Sequence, residues 1–184
     1  MAEISNNAAI LIATSFQALN RAKTDNKTTR LCNCTVTILF ASFFIEENLD
    51  VIIKKMKKDH EMKTFFNKKK GEHPGLLDKI AWFYNYFVSK NKANNQNLLL
   101  KNKVMGKLEK SFPGFRRIYQ FRNDVAHGKI NRRISLEDTE RLRIQAKSIV
   151  DSLLKIASEA GYEIPREFTY YTAIANSKIQ LEET

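Results

Sequence analysis

The sequence predicts an all-α protein, and three observations carry that expectation. Glycine and proline are scarce, 6 and 3 in 184 residues, so long uninterrupted helices are allowed. Apolar residues recur at spacings of three and four along several segments, the period of an amphipathic helix. Windows that alternate apolar and polar residues, the mark of a half-buried strand, are few. With 43% hydrophobic residues the chain can bury a sizeable core. The length suits one domain, taken as residues 1–162, followed by a loosely attached tail, 163–184.

A first amphipathic helix is expected over residues 4–22, where Ile4, Ala8, Leu11, Ile12, Ser15 and Leu19 share a face. A second spans about 35–58. Val36, Leu39, Phe40, Phe43, Phe44, Leu49, Ile52, Ile53 and Met56 make it apolar around most of its circumference, as a central helix should be. Lys54, Lys55, Lys57 and Lys58 close it, where cations complement the helix dipole. Lys68, Lys69 and Lys70 fall in a loop. A third helix follows His73-Pro74, with Leu76, Ile80, Phe83 and Phe87 on one face and Trp82 at an edge. Residues 89–97 read as a polar loop and 98–110 as a short helix. Phe112-Pro113-Gly114 is a turn that launches another helix at Phe115. The last long helix starts at Ser135, an N-cap with Asp138 three residues on, and stops at Gly161.

Thirty-one Lys and Arg against 20 Asp and Glu leave a net charge of +11. Such a balance suits a polyanionic partner such as RNA; a lysine-rich, AT-biased genome produces the same composition. No basic segment precedes an apolar run at the N-terminus, and the longest mostly apolar run, 36–45, is about half of the roughly 20 residues that span a bilayer. No membrane association is expected. Cys32 and Cys34 lack metal-ligand spacing and a second ligand pair, so neither a metal nor another cofactor is expected. A reduced, cytoplasmic setting fits two such cysteines.

The segment Arg122-Asn123-Asp124-Val125-Ala126-His127, closed by Gly128, carries the candidate chemistry. On a wheel turning about 100° per residue from Phe115, Ile118, Phe121, Val125, Ala126 and Tyr119 define an apolar arc, and Arg122 falls inside it at about 340°. A guanidinium there needs acceptors for its donors, either an internal carboxylate or a phosphate arriving in a cleft. Asn123 and His127, four residues apart, share another flank with Arg116. Arg122 and His127 are splayed by about 140° on an ideal helix, so the helix must loosen near Gly128 or Arg122 must reach around. A purely structural alternative pairs Arg122 with a carboxylate and leaves His127 as a helix cap.

Arg, a polar Asn, three residues and His near the end of a helix, RNDVAHG here, resembles the signature of the HEPN superfamily: Arg, four to six residues, then His. The resemblance covers residues near 4–160. It implies an antiparallel bundle of four to five helices that forms a homodimer, with the two motif-bearing helices meeting across a two-fold and lining one cleft. It implies a metal-independent endoribonuclease used as a toxin, in phage defence or in RNA processing, with an antitoxin or regulatory partner as a further implication. Other members of the superfamily have lost catalysis and bind RNA, a nucleotide or a partner protein.

The chemistry asked of these residues is limited. The ribose 2′-OH is an internal nucleophile held beside its phosphate. Imidazole exchanges protons near neutral pH, which suits His127 as acid or base. Arg122 offers forked donors to phosphate oxygens as charge builds on them. Asn123 would orient the phosphate or the histidine. Lys129, Arg132 and Arg133 follow as a phosphate track or as a solvated connection, and Arg116 joins them by its flank. Glu46 and Glu47 interrupt an apolar helix. One of them would support Arg122 from behind, or both lie on a solvated edge. His60 and His73 have no companions at ligand spacing. Tyr170 and Tyr171 would stack on a base or dock on the bundle. No Gly-rich phosphate loop, nucleophile elbow or carboxylate cluster of a two-metal nuclease occurs. A helical nucleic-acid-binding protein with a coincidental motif is the third reading.

Overall fold

The computed structural model describes residues 3–56, 75–88, 101–129 and 134–162. Within them are six α-helices and one π-helical turn, and no strand: α1 Glu3–Thr24, α2 Lys27–Met56, α3 Leu76–Phe83 continuing into the π-turn Tyr84–Val88, α4 Lys101–Ser111, α5 Phe115–Ala126 and α6 Leu136–Glu159.

The long α2 is the central element, as its all-round apolar surface requires; it touches α1, α3, α5 and α6. Ile38, Ala41, Phe44, Ile45, Leu49, Ile52 and Met56 are buried along it. It begins eight residues earlier than the apolar run suggests. Asn26 supplies the reason, because its side-chain oxygen accepts from the Thr28 and Thr29 N–H groups at 3.1 Å and caps the helix. With only Asp25 and Asn26 between them, α1 folds back along α2. The buried Ser15 on the expected apolar face donates its hydroxyl to the Thr37 carbonyl at 2.8 Å, which satisfies it inside the core.

Trp82 is not at an edge. It is buried and stacked on Tyr86, with ring centroids 5.3 Å apart. Tyr86 and Phe87, four residues on from Trp82 and Phe83, meet them at ordinary helical spacing, and Phe87 also packs edge-on against Tyr162, a contact the sequence pattern does not disclose. The segments holding Lys57, Lys58, His60, Lys68, Lys69, Lys70, His73, Arg132, Arg133, Tyr170 and Tyr171 lie outside the described residues.

Three contacts fix α5. Gly114 takes a left-handed conformation, φ 87°, to turn the chain into it. The Glu109 carboxylate of α4 accepts from the Gly114 and Arg116 N–H groups, each at 2.9 Å, and so caps the exposed donors of the first turn. Arg117 reaches Asp138 in the first turn of α6 at 2.8 Å, and Arg141 shares that carboxylate. Ser135 caps α6 as expected, its hydroxyl accepting from the Asp138 N–H at 3.0 Å.

Candidate functional site

The wheel reading of α5 holds at its base and fails at its tip. Phe115, Ile118 and Phe121 are buried. Tyr119 and Val125 are half-buried, and Ala126 is exposed although it falls in the same arc. Ala126 is the last helical residue, so the arc there has run past the surface it packs on.

Arg122 lies within the arc and finds its acceptor inside the chain. Its Nη2 donates to Glu46 Oε2 of α2 at 3.0 Å. Its guanidinium carbon sits 5.9 Å from the Phe43 ring centroid, at the outer limit of a cation–π contact. The Arg122 Nε is buried with no hydrogen-bond partner among the described residues. The guanidinium is thus held by one end, and its side chain keeps 26% of its surface exposed. Phe43 is itself exposed beside it.

Glu46 serves a second cation that the sequence reading missed. Lys79 of α3 donates to Glu46 Oε1 at 3.0 Å and to Asp50 Oδ2 at 2.7 Å. The result is a chain of charges, Arg122, Glu46, Lys79 and Asp50, binding α5, α2 and α3 together. A signal for Lys79 existed: it lies three residues after Leu76 and four before Phe83, inside an apolar stripe, as Arg122 does. Glu47 makes no bond to Arg122. Burial pushes its carboxyl above the ordinary 4.5, a rise opposed chiefly by Lys54.

His127 stands at the end of α5 and is exposed. The helix closes with a complete Schellman motif. Gly128, at φ 71°, donates to the Val125 carbonyl at 3.0 Å, and the Lys129 N–H donates to that of Asp124 at 2.6 Å. The expected loosening at Gly128 is therefore a defined left-handed turn, and it begins only after His127. Asn123 is half-buried one turn earlier and, like His127, forms no side-chain hydrogen bond among the described residues. Arg116 and Lys129 are exposed at the two ends of α5. Within one chain, then, the structure joins Arg122 to Glu46, and it leaves His127, Asn123, Arg116 and Lys129 facing outward.

Among the described residues no three His, Cys, Asp or Glu side chains gather where a metal ion would be held, and no helix is long and apolar enough to cross a membrane. Comparison with family models, with curated proteins and with solved structures gives no match for this chain.

Proposed function

We propose that the chain is a HEPN-type, metal-independent endoribonuclease that works as a homodimer, in a toxin or phage-defence setting. The observation that carries this reading is the environment of the motif. A partly buried guanidinium, whose Nε is buried and has no partner among the described residues, and an exposed imidazole that makes no bond among them lie on one short helix that ends in a fixed turn. The Glu46 carboxylate on Arg122 and the place of His127 as the helix C-cap are also what the purely structural alternative expects, so the reading rests on the motif and on what its two side chains leave unbonded among the described residues.

In the reaction His127 takes the proton of the 2′-OH, whose oxygen attacks the adjacent phosphorus. The bond from phosphorus to the 5′-oxygen breaks, that oxygen takes a proton from water, and the protonated His127 returns its proton to the hydroxide so formed. The products are a 2′,3′-cyclic phosphate and a 5′-hydroxyl. Arg122 neutralises the phosphate oxygens as charge accumulates on them. Asn123 orients the phosphate or the imidazole. Because Arg122 turns inward and His127 outward, one copy of α5 divides the two groups between sides of the helix. A second copy across a two-fold brings the histidine of one to the arginine of the other. Lys129 and Arg116, with Arg132 and Arg133, would carry the flanking RNA.

One observation favours a second reading, a non-catalytic module that binds RNA, a nucleotide or a partner protein. Arg122 already has a structural role in its bond to Glu46, which a protein without turnover would also need. The two readings separate by experiment. Purified protein incubated with single-stranded or structured RNA in EDTA should cleave it, and His127→Ala should lower the rate by about 10²–10⁴-fold. Equal cleavage by wild type and variant removes the catalytic assignment; binding without cleavage by wild type selects the second reading.

A further inference from the structure

We propose that Glu46 and Lys79 are positioning residues that set how freely Arg122 meets an RNA phosphate, with the Glu46 carboxylate passed between the two cations. The proposal rests on the ribonuclease reading above and deepens it.

Each oxygen of Glu46 serves a different cation. Oε2 accepts from Arg122 and Oε1 from Lys79, both at 3.0 Å. Lys79 also holds Asp50 at 2.7 Å. Two carboxylates thus face two cations, and the set is neutral while Arg122 remains in it. The two cations differ in reach. The Lys79 side chain is 11% exposed and lies within the core face of α3, whereas that of Arg122 is 26% exposed beside the exposed Phe43 ring. Arg122 is the one that can turn toward a ligand.

Its present grip is also incomplete. A guanidinium meets a carboxylate best with two parallel N–H bonds. Here Nη2 alone bonds Glu46, and Nε is buried without a partner among the described residues. Once Arg122 has turned outward and uncovered Nε, a phosphate taking Nε and a terminal nitrogen together would give it the forked contact that Glu46 does not. When Arg122 leaves, Glu46 loses one of its two counter-charges while half-buried, a costly state. Lys79 lowers that cost because it is already bonded to the other oxygen, although it shares its charge with Asp50. Glu46 therefore competes with RNA for Arg122, and Lys79 weakens Glu46 as a competitor. The apparent affinity for RNA falls by the fraction of molecules in which Arg122 is free.

The test is binding of an uncleavable 2′-O-methyl oligoribonucleotide to the full chain, read by fluorescence anisotropy. Glu46→Gln should bind it roughly five- to tenfold more tightly than wild type, and Glu47→Gln, which removes the same charge from the next position, should bind it with a smaller gain. Lys79→Gln should weaken binding by a similar factor beyond the loss caused by Lys54→Gln. Asp50→Asn leaves Lys79 wholly to Glu46 and should tighten binding, which keeps the proposal open to refutation if Glu46→Gln does not fold. Equal Kd values for Glu46→Gln and Glu47→Gln, or tighter binding by Lys79→Gln, would overturn the competition while leaving the ribonuclease reading intact. Absence of both binding and cleavage in wild type would overturn the two together.

Discussion

Arg122 and Glu46, 76 positions apart, are joined at 3.0 Å, and the bond ties the candidate catalytic helix to the central helix of the bundle. The arginine to which the proposed chemistry assigns the phosphate is also a packing element. Variants at this position must therefore be measured for stability and for activity separately.

Arg122→Lys should keep the ion pair with Glu46 and lose the forked donor. RNA cleavage is expected to fall by about 10²–10³-fold while the urea midpoint stays close to wild type. Arg122→Ala leaves Glu46 with Lys79 alone. A loss of about 1–2 kcal/mol is expected in urea unfolding, a figure kept low because the arginine side chain is 26% exposed. His127→Ala should unfold within about 0.5 kcal/mol of wild type. A large destabilisation by that variant would show that the imidazole has a structural contact.

Two glycines should respond to alanine with opposite signs. A Cβ at Gly128 meets nothing within 4 Å, yet its φ of 71° disfavours any side chain, so Gly128→Ala should cost about 1 kcal/mol and disturb the turn after His127. Gly106 lies within α4 with open space around it, and Gly106→Ala should stabilise by about 0.5–1 kcal/mol. Equilibrium denaturation of the two variants checks both.

Two carboxylates should shape the acid limb of stability in opposite directions. The Arg117 hydrogen bond holds Asp138 below the usual 3.8. Its contribution is present above 3.8 and is lost as pH falls through the lower folded value, and Asp138→Asn should flatten that decline. Glu47 is raised above 4.5, mainly by burial. The folded state binds its proton more tightly, so stability is lost as pH climbs from 4.5 through the folded value. Glu47→Gln should therefore be more stable than wild type near neutrality, with the gain fading below 4.5. Thermal unfolding across a pH series reads both signs, and a constant Glu47→Gln difference at every pH would refute the second.

Binding of single-stranded RNA should weaken steeply with salt. Each of Arg116 and Lys129 changed to Gln should reduce the slope of log K against log salt by about 0.7. Single-stranded DNA of the same sequence should bind without being cut, because it lacks the attacking hydroxyl. An unchanged slope in both variants would move the phosphate track elsewhere.

Most of the fold was legible because period and punctuation agree. The caps at Ser135, Gly114, Gly128 and Gly161 stop or start helices where the sequence places them, and Ala8, Ile12, Ser15 and Leu19 of α1 and Phe44, Leu49, Ile52, Ile53 and Met56 of α2 are buried, whereas Phe43 on the expected α2 face is exposed and Val36, Leu39 and Phe40 are half-buried. The early start of α2 was hidden because polar residues fill its first turns, and its cap, Asn26, precedes no apolar run. The site was half legible. A wheel places Arg122 on the apolar side and demands an acceptor, and Glu46 was among the acidic residues available to meet that demand. Lys79 and Asp50 escaped notice, since periodicity says which residues turn inward and nothing about which helices then face one another. Trp82 was misjudged for a related reason: its i+4 neighbour Tyr86 stacks on it and helps cover it.

A bundle under pressure only to stay folded would retain Arg122 and Glu46, because each completes the other's charge in the interior. No such pressure acts on His127, which bonds nothing through its ring among the described residues. Under the ribonuclease reading, chains descended from a common ancestor with this one should keep the arginine after losing activity and should not keep the histidine. On that reading, the position that reports turnover is the exposed one.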